Sequence, residues 1–425
     1  MIRRSDLVLF LLQAYLFLTV LFYLGTGSPP LQGLLDELLL LAMLVVAVAF
    51  PLRSRSSSSS HAALVATTLT MTVIIGFLGA ATNSDLIGFP AIRGAIKGLI
   101  IDAKFPLFML ASFFLLDASD TSFLRRLCKA IVLFGILHGA LSLLDIVRGV
   151  DIHGRQLANR SGLIIANGIF DHKFKSAFAN VLFFAAALHL QNKWTAAFAF
   201  FLCMIALSVK EMAAAALILT MSASTIRSAL FRASTIAVIF LGITIFALTD
   251  NPLKSAMMDR VTTFVVTEAT ANTTVRTELY KSAPKVAVKY FPLGSGAGSF
   301  GSSPSRDTYY SPLYQEFHIN HLHGGGTGED GAFLIDTFWP KILGEYGFLG
   351  LITFCIPLLL AARTTNAPAF SKYMFWGLLV ISVGTPVYNY SDGAIFGGIA
   401  TGLILASRRK STHRSDTALA ERMYV

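Results

Sequence analysis

Apolar runs long enough to cross a bilayer recur along most of this chain, and they leave room for one architecture. A spanning helix takes about 20 consecutive apolar residues. Such runs fall at 7–26, 34–52, 62–82, 98–116, 127–147, 174–190, 232–249, 343–362 and 372–388, with shorter ones at 194–209, 211–225 and 391–407. The expected fold class is an all-α polytopic membrane protein of about 12 transmembrane helices with one large periplasmic loop. Only 14% of the residues are charged, where soluble domains carry about 25%.

The basic start MIRRSDLVLF resembles a signal peptide. Its apolar run ends in TGSPPLQG without a small-residue cleavage site, so it reads as a first, uncleaved span. Cys128, Cys203 and Cys355 fall in or beside apolar runs, too far apart for a paired metal or redox motif.

Short loops on alternate sides differ in charge. Arg53, Arg125, Arg126, Lys129, Lys193, Arg363, Lys372 and the tail from Arg408 fall on one side, and the turns TGSPPLQG and NYSDG on the other carry no Lys or Arg. The positive-inside rule then predicts cytoplasmic termini. The chain divides into transmembrane helices 1–9 over 1–249, with a shorter periplasmic loop near 148–173. A large periplasmic loop follows at 250–341, then helices 10–12 over 342–407 and a flexible cytoplasmic tail at 408–425. Half of the 34 Lys and Arg residues remain on the outer side, Lys341 among them. That excess suits an anionic ligand such as a pyrophosphate.

The 250–341 stretch is polar and rich in glycine, and a loop of that length needs a functional reason. Within it GAGSFG matches the dinucleotide fingerprint by letter, and the KVAVKYF before it alternates like a strand. SSPSRD follows where a helix should open. Gly294, Gly296 and Gly298 are therefore read as structural, letting the backbone turn tightly against the membrane helices. HINHLHGGGTGED offers His318, His321 and His323 with Glu329 and Asp330. Its glycines argue for a flexible loop over substrate rather than a zinc site. Ionisable Lys210 and Glu211 interrupt an apolar stretch, and Asp102, Lys104 and Asp145 lie within or beside others; each reads as a helix-end charge or a cavity-facing group.

Four segments together resemble the O-antigen ligase and Wzy-type polysaccharide polymerase superfamily of bacterial inner membranes. NTTVRTELYKSAPKVAVKYFPLGSGAGSF is similar to the family's segment in which an Arg precedes an aromatic, a Pro and a glycine run. DTFWPKILGEYGFLGL is similar to its closing helix, through Glu345, Gly347 and Gly350. NRSGLIIANGIFDHKFKSAFAN resembles its R-x-G stretch, and SVKEMAAAAL its short S-x-R helix start. Two positions depart: Asp336 stands where the ligase branch has a His, and Lys210 where the family has an Arg. The first departure favours a polymerase over a ligase that transfers glycan to lipid A-core.

The resemblance implies an inverting, metal-independent transferase of the GT-C kind with no cofactor. Its donor would be an undecaprenyl-diphosphate-linked oligosaccharide, with a flippase and a chain-length regulator as further partners and no nucleic acid. Cleaving a sugar–pyrophosphate bond calls for positive charge on the leaving group. Arg276, Arg160, Lys210 and Lys281 are the candidates for it. The attacking hydroxyl needs a general base, with Asp336, His321 and His323 as candidates. Glu345 is expected to brace its helix. A transporter or flippase of an anionic or lipid-linked substrate is the competing expectation, although no repeat relates the two halves of the chain.

Overall fold

A computed structural model describes residues 3–25, 30–49, 59–86, 88–118, 120–157, 159–160, 163–170, 173–206, 208–224, 274–322, 324–327, 331 and 333–423. Among them the chain is all-helical apart from one two-residue antiparallel pair. The helices are α1 (Arg4–Gly25), α2 (Pro30–Ala49), α3 (Ser59–Thr82), α4 (Phe89–Leu115) and α5 (Thr121–Arg148). After the strands β1 (Asn159–Arg160) and β2 (Leu163–Ile164) come α6 (Lys173–His189), α7 (Lys193–Ile205) and α8 (Val209–Ser224). The last five are α9 (Val275–Lys289), α10 (Pro312–Glu316), α11 (Trp339–Ala362), α12 (Ala369–Ser382) and α13 (Ser391–Met423).

The expected apolar runs within the described residues fall mainly on helices, although 194–209 outruns α7 and 372–388 outruns α12; the run 232–249 lies outside them. Among the described residues five helices are long and apolar enough to cross a membrane: α1, residues 63–82 of α3, 90–115 of α4, α5 and α11. Helices α7 and α12 are apolar but shorter. The C-terminal tail, expected to be flexible, continues α13 as helix to Met423.

The chain forms two compact units. The first takes residues 1–43, 120–266 and 369–381. In it α5 is capped by Asp120, whose carboxylate accepts from the Phe123 amide at 3.0 Å, and ends on Gly149 in the left-handed region. Polar groups in the last three turns of α5 hold the segment before α6. Asp145 accepts from the amides of Asn167 (3.1 Å) and Gly168 (2.7 Å). His138 Nδ1 accepts from the Ile169 amide at 3.2 Å, which places the ring proton on Nε2, facing Ser176 Oγ at 3.2 Å. These contacts satisfy backbone that would otherwise be buried without partners.

The second unit takes residues 44–119, 267–368 and 382–425. Here α13 packs along α4 through a G-x-x-x-G pair, Gly398 and Gly402. A Cβ on either would come within 2.5 Å of Phe108 Cβ or Met109 O, so only glycine permits this approach. Helix α11 lies against α3 and α9. The alternation of KVAVKYF, strand-like in sequence, belongs instead to the end of α9. Val275, Leu279, Ala283 and Val286 recur at helical spacing and pack against Phe300, Leu313 and Tyr314. A four-residue repeat buried on one side outweighs a two-residue alternation over seven residues.

Candidate functional site

The site grows from the glycine run in the second unit. Gly294, Gly296 and Gly298 all have positive φ (77°, 96° and 78°). Their neighbours are backbone: a Cβ on Gly296 would lie 2.3 Å from Ala80 Cα, and one on Gly298 2.3 Å from Gly94 O. Gly79 of α3 and Gly98 of α4 clear the other side of that approach, while Gly76 and Gly94 make room for the rings of Tyr346 and Tyr309. The run is thus lodged among helices rather than looped away from them, and Ser295, Ser299 and Phe300 are buried.

Backbone hydrogen bonds explain why a polar run is stable there. Helix α11 breaks at Gly347 (φ 64°, ψ −167°). The carbonyls of Gly344 and Glu345 before the break accept from the amides of Ser295 (2.9 Å) and Gly296 (2.8 Å). Ala297 donates to Gly76 O at 3.0 Å, and Asn83 Nδ2 to Gly294 O at 3.0 Å. Irregular backbone among apolar helices survives when protein groups satisfy it. Glu345, fully buried, accepts from the Phe300 amide at 2.9 Å through Oε1, so its carboxylate ties α11 to the run.

Two ion pairs flank the start of α11. In the first, Arg276 donates to Asp336 Oδ2. Thr274 caps α9, accepting from the Thr277 amide at 3.3 Å, and so sets Arg276 in the first turn. The guanidinium also lies over the Phe333 ring, 5.5 Å from its centre. Asp336 does not cap α11, whose cap position is Phe338; its carboxylate is engaged by Arg276. The pair keeps 15% and 11% side-chain exposure.

The second pair was not expected. Lys341, grouped by sequence with outer-side charges, is 1% exposed and donates to Asp102 Oδ1 of α4. Tyr346 donates its hydroxyl to Asp102 Oδ2 at 2.7 Å. Asn389, with its amide turned to match, donates to Asp102 Oδ1 at 3.2 Å and accepts from Lys341 Nζ at 2.9 Å. A cavity of about 20 Å³ adjoins the cluster, lined by Thr72, Asp102, Tyr346 and Asn389 and by the rings of Phe105 and Phe338. It has room for about one water. An aspartate inside an apolar run was the signal for this cluster. Its partner, 239 residues away, had none.

The remaining expected residues are placed as follows. Lys281 lies on the exposed side of α9, while Arg276 is half-buried. His321 is exposed, its ring centre 6.3 Å from that of His318. No hydrogen bond ties it to the Arg276–Asp336 pair among the described residues. His323, Glu329 and Asp330 lie outside the described residues. Arg160 and Lys210 belong to the first unit. Arg160 pairs with Leu163 between β1 and β2; Lys210 Nζ lies 4.2 Å from the centre of the Phe174 ring at the start of α6. Of the expected catalytic and donor-binding residues, the structure therefore brings Arg276 and Asp336 into contact.

Tyr309 and Tyr314 are both desolvated by burial, which raises their hydroxyl pKa well above the ordinary tyrosine value. Tyr314 serves as a neutral hydrogen-bonding group, accepting from the Gly301 amide at 2.9 Å and meeting Ser305 Oγ at 2.6 Å. Among the described residues no group of three or more His, Cys, Asp or Glu is placed to hold a metal. No protein-family model matches the chain, and no curated protein is significantly similar to it.

Proposed function

We propose that the chain is a polysaccharide polymerase of the bacterial inner membrane, working on lipid-linked repeat units at the periplasmic face. In this reading it spans the membrane about 12 times, with cytoplasmic termini and residues 250–341 on the periplasmic side. The observation that carries the reading is the Arg276–Asp336 pair. A guanidinium suited to a diphosphate and a carboxylate suited to an acceptor hydroxyl meet at one partly exposed place.

The contact also orders the reaction. Asp336 cannot take a proton from an acceptor while Arg276 holds its oxygen. A diphosphate donor competes for the same guanidinium N–H groups, so donor binding turns Arg276 toward the leaving group and releases the carboxylate. Asp336 then accepts the acceptor's proton as its oxygen attacks the anomeric carbon, and the lipid diphosphate departs with the bonding electrons, stabilised by Arg276. Transfer to lipid A-core instead of to another repeat unit would use the same two residues.

The test is polymer formation in membranes bearing Asp336→Asn. Loss of a positioned base costs about 10²–10⁴-fold in rate, and single lipid-linked units should accumulate. Polymer near the wild-type level with Asp336→Asn would remove Asp336 from the mechanism. The same level with both Arg276→Lys and Arg276→Ala would remove Arg276.

One observation favours a second reading, a transporter or flippase. A helix broken at Gly347 beside buried Lys341 and Glu345 and half-buried Asp102 is the kind of discontinuity found at transport sites. Deletion separates the two: a polymerase leaves single units stranded in the envelope, and a transporter loses solute movement.

A further inference from the structure

Helix α9 shows two kinds of surface away from its core. Its buried side, Val275, Leu279, Ala283 and Val286, fixes it to the second unit. Lys281, Lys285 and Lys289 recur every four residues on the exposed side. Beside them runs an apolar stripe, Tyr280 (41% exposed), Pro284 and Val288 (64%) at the same spacing, continued by Phe291 (71%) just past the helix end.

Neither water nor hydrocarbon alone suits that face. A helix bathed in water has no reason to align Val288 and Phe291, and one sunk among acyl chains would not carry three lysines on its exposed side. The combination fits a helix lying in the plane of a membrane interface, apolar residues dipping inward and lysine stems reaching out to the headgroups.

The depth of α9 follows from what it leads into. After Phe291 the chain enters the glycine run, which packs on Gly76, Gly79 and Ala80 of α3 and on Gly94 and Gly98 of α4. Those positions lie within about two turns of the end of α3 at Thr82 and within about three of the start of α4 at Phe89. Both helices are candidate spans, so the end of α9 sits where they leave the hydrocarbon.

Charge complementarity identifies the occupant. Lys289 is committed to Glu316, at 2.7 Å from both carboxylate oxygens. Lys281 and Lys285 make no ion pair among the described residues. The nearest acid on the same helix, Glu278, accepts from Ser282 Oγ at 3.4 Å. We infer that α9 lies in the bilayer interface, with Val288 and Phe291 in the acyl boundary and Lys281 and Lys285 bound to phosphates of anionic phospholipids. This holds whether or not the chain polymerises glycans, since it rests on the membrane fold alone.

The test uses the full chain in lipid nanodiscs. Val288→Cys, carrying a fluorophore in a Cys355→Ser background, should be quenched by a nitroxide placed high on the acyl chain and shielded from an aqueous quencher. Phosphatidylglycerol titrated into phosphatidylcholine discs and read by native mass spectrometry should bind about 5-fold more weakly for each lysine lost in Lys281→Gln and Lys285→Gln. A label open to the aqueous quencher would make this a water-facing surface, and one shielded from both quenchers a protein-facing surface; either would overturn the inference. Equal phosphatidylglycerol binding by wild type and the double variant would overturn the headgroup contact.

Discussion

Lys341 and Arg276 each hold an aspartate near the start of α11, in different surroundings. The Lys341–Asp102 side chains are 1% and 9% exposed, joined by Tyr346 and Asn389, and they bridge α11 to α4. The Arg276–Asp336 pair has 15% and 11% exposure, with the Phe333 ring against the guanidinium. A sealed pair cannot exchange partners without leaving a charge in a poorly solvated place, so it holds structure. A pair with a partly open side can trade its carboxylate for another anion. The two carboxylates are alike in exposure, so the contrast rests on the cations: it suits Lys341 to holding structure and Arg276 to the ligand chemistry proposed for it.

The strongest way to break that contrast is Lys341→Ala. Removing one partner of a buried pair costs about 3–5 kcal/mol, and thermal unfolding in detergent should show it as the largest loss among these variants. Adding Asp102→Leu should recover much of it; no recovery would mean that Lys341 acts through something other than Asp102.

Tyr346→Phe sharpens the same side. It leaves Asp102 Oδ2 without its 2.7 Å donor, a loss of about 1–3 kcal/mol in the same assay. An unchanged midpoint would show that water from the adjoining cavity replaces the hydroxyl.

Arg276→Lys probes the open pair. Charge is kept and the planar fork is lost, so stability should fall by less than the loss of about 3–5 kcal/mol that follows removing a buried partner outright, while polymer formation falls sharply. A stability loss as large as that of Lys341→Ala would erase the distinction between the pairs.

Lys289→Gln, cutting a pair whose side chains are 47% and 40% exposed, should change stability by about 0–1 kcal/mol. It marks the floor against which the other three are read in the same thermal series.

The glycine run and the histidine-rich stretch show how far sequence carried. Both are polar and glycine-rich, and both read as parts of one long loop. The positive φ of Gly294, Gly296 and Gly298 was legible, since closely spaced glycines beside apolar helices indicate close backbone approach. Their docking surface left a trace too, in the small-residue spacing of Gly94 and Gly98 and of Gly76 and Gly79. What did not show was burial. Ser295 and Ser299 are at 1% and 3% exposure although neither is apolar, because Ser295 donates to the Gly344 carbonyl ahead of the break at Gly347 and Ser299 to the Gly296 carbonyl.

By itself the sequence determined where the apolar helices lie. Hydrophobic run length is local, and a chain in hydrocarbon has few ways to satisfy its own backbone, so the apolar runs sufficed for those helices, but not for α9, whose end alternates like a strand, or for the helical tail of α13. It also picked out Arg276, Asp336 and Glu345 as residues of interest. Only the tertiary structure decided the partners. Arg276 meets Asp336 across 60 residues, Lys341 meets Asp102 across 239, and the Phe300 amide reaches Glu345 across 45. A charged side chain carries no record in the sequence of which opposite charge will neutralise it. That is set when packing removes water from one pairing and leaves another open, and here α11, broken at Gly347 and pinned by the glycine run, makes the choice.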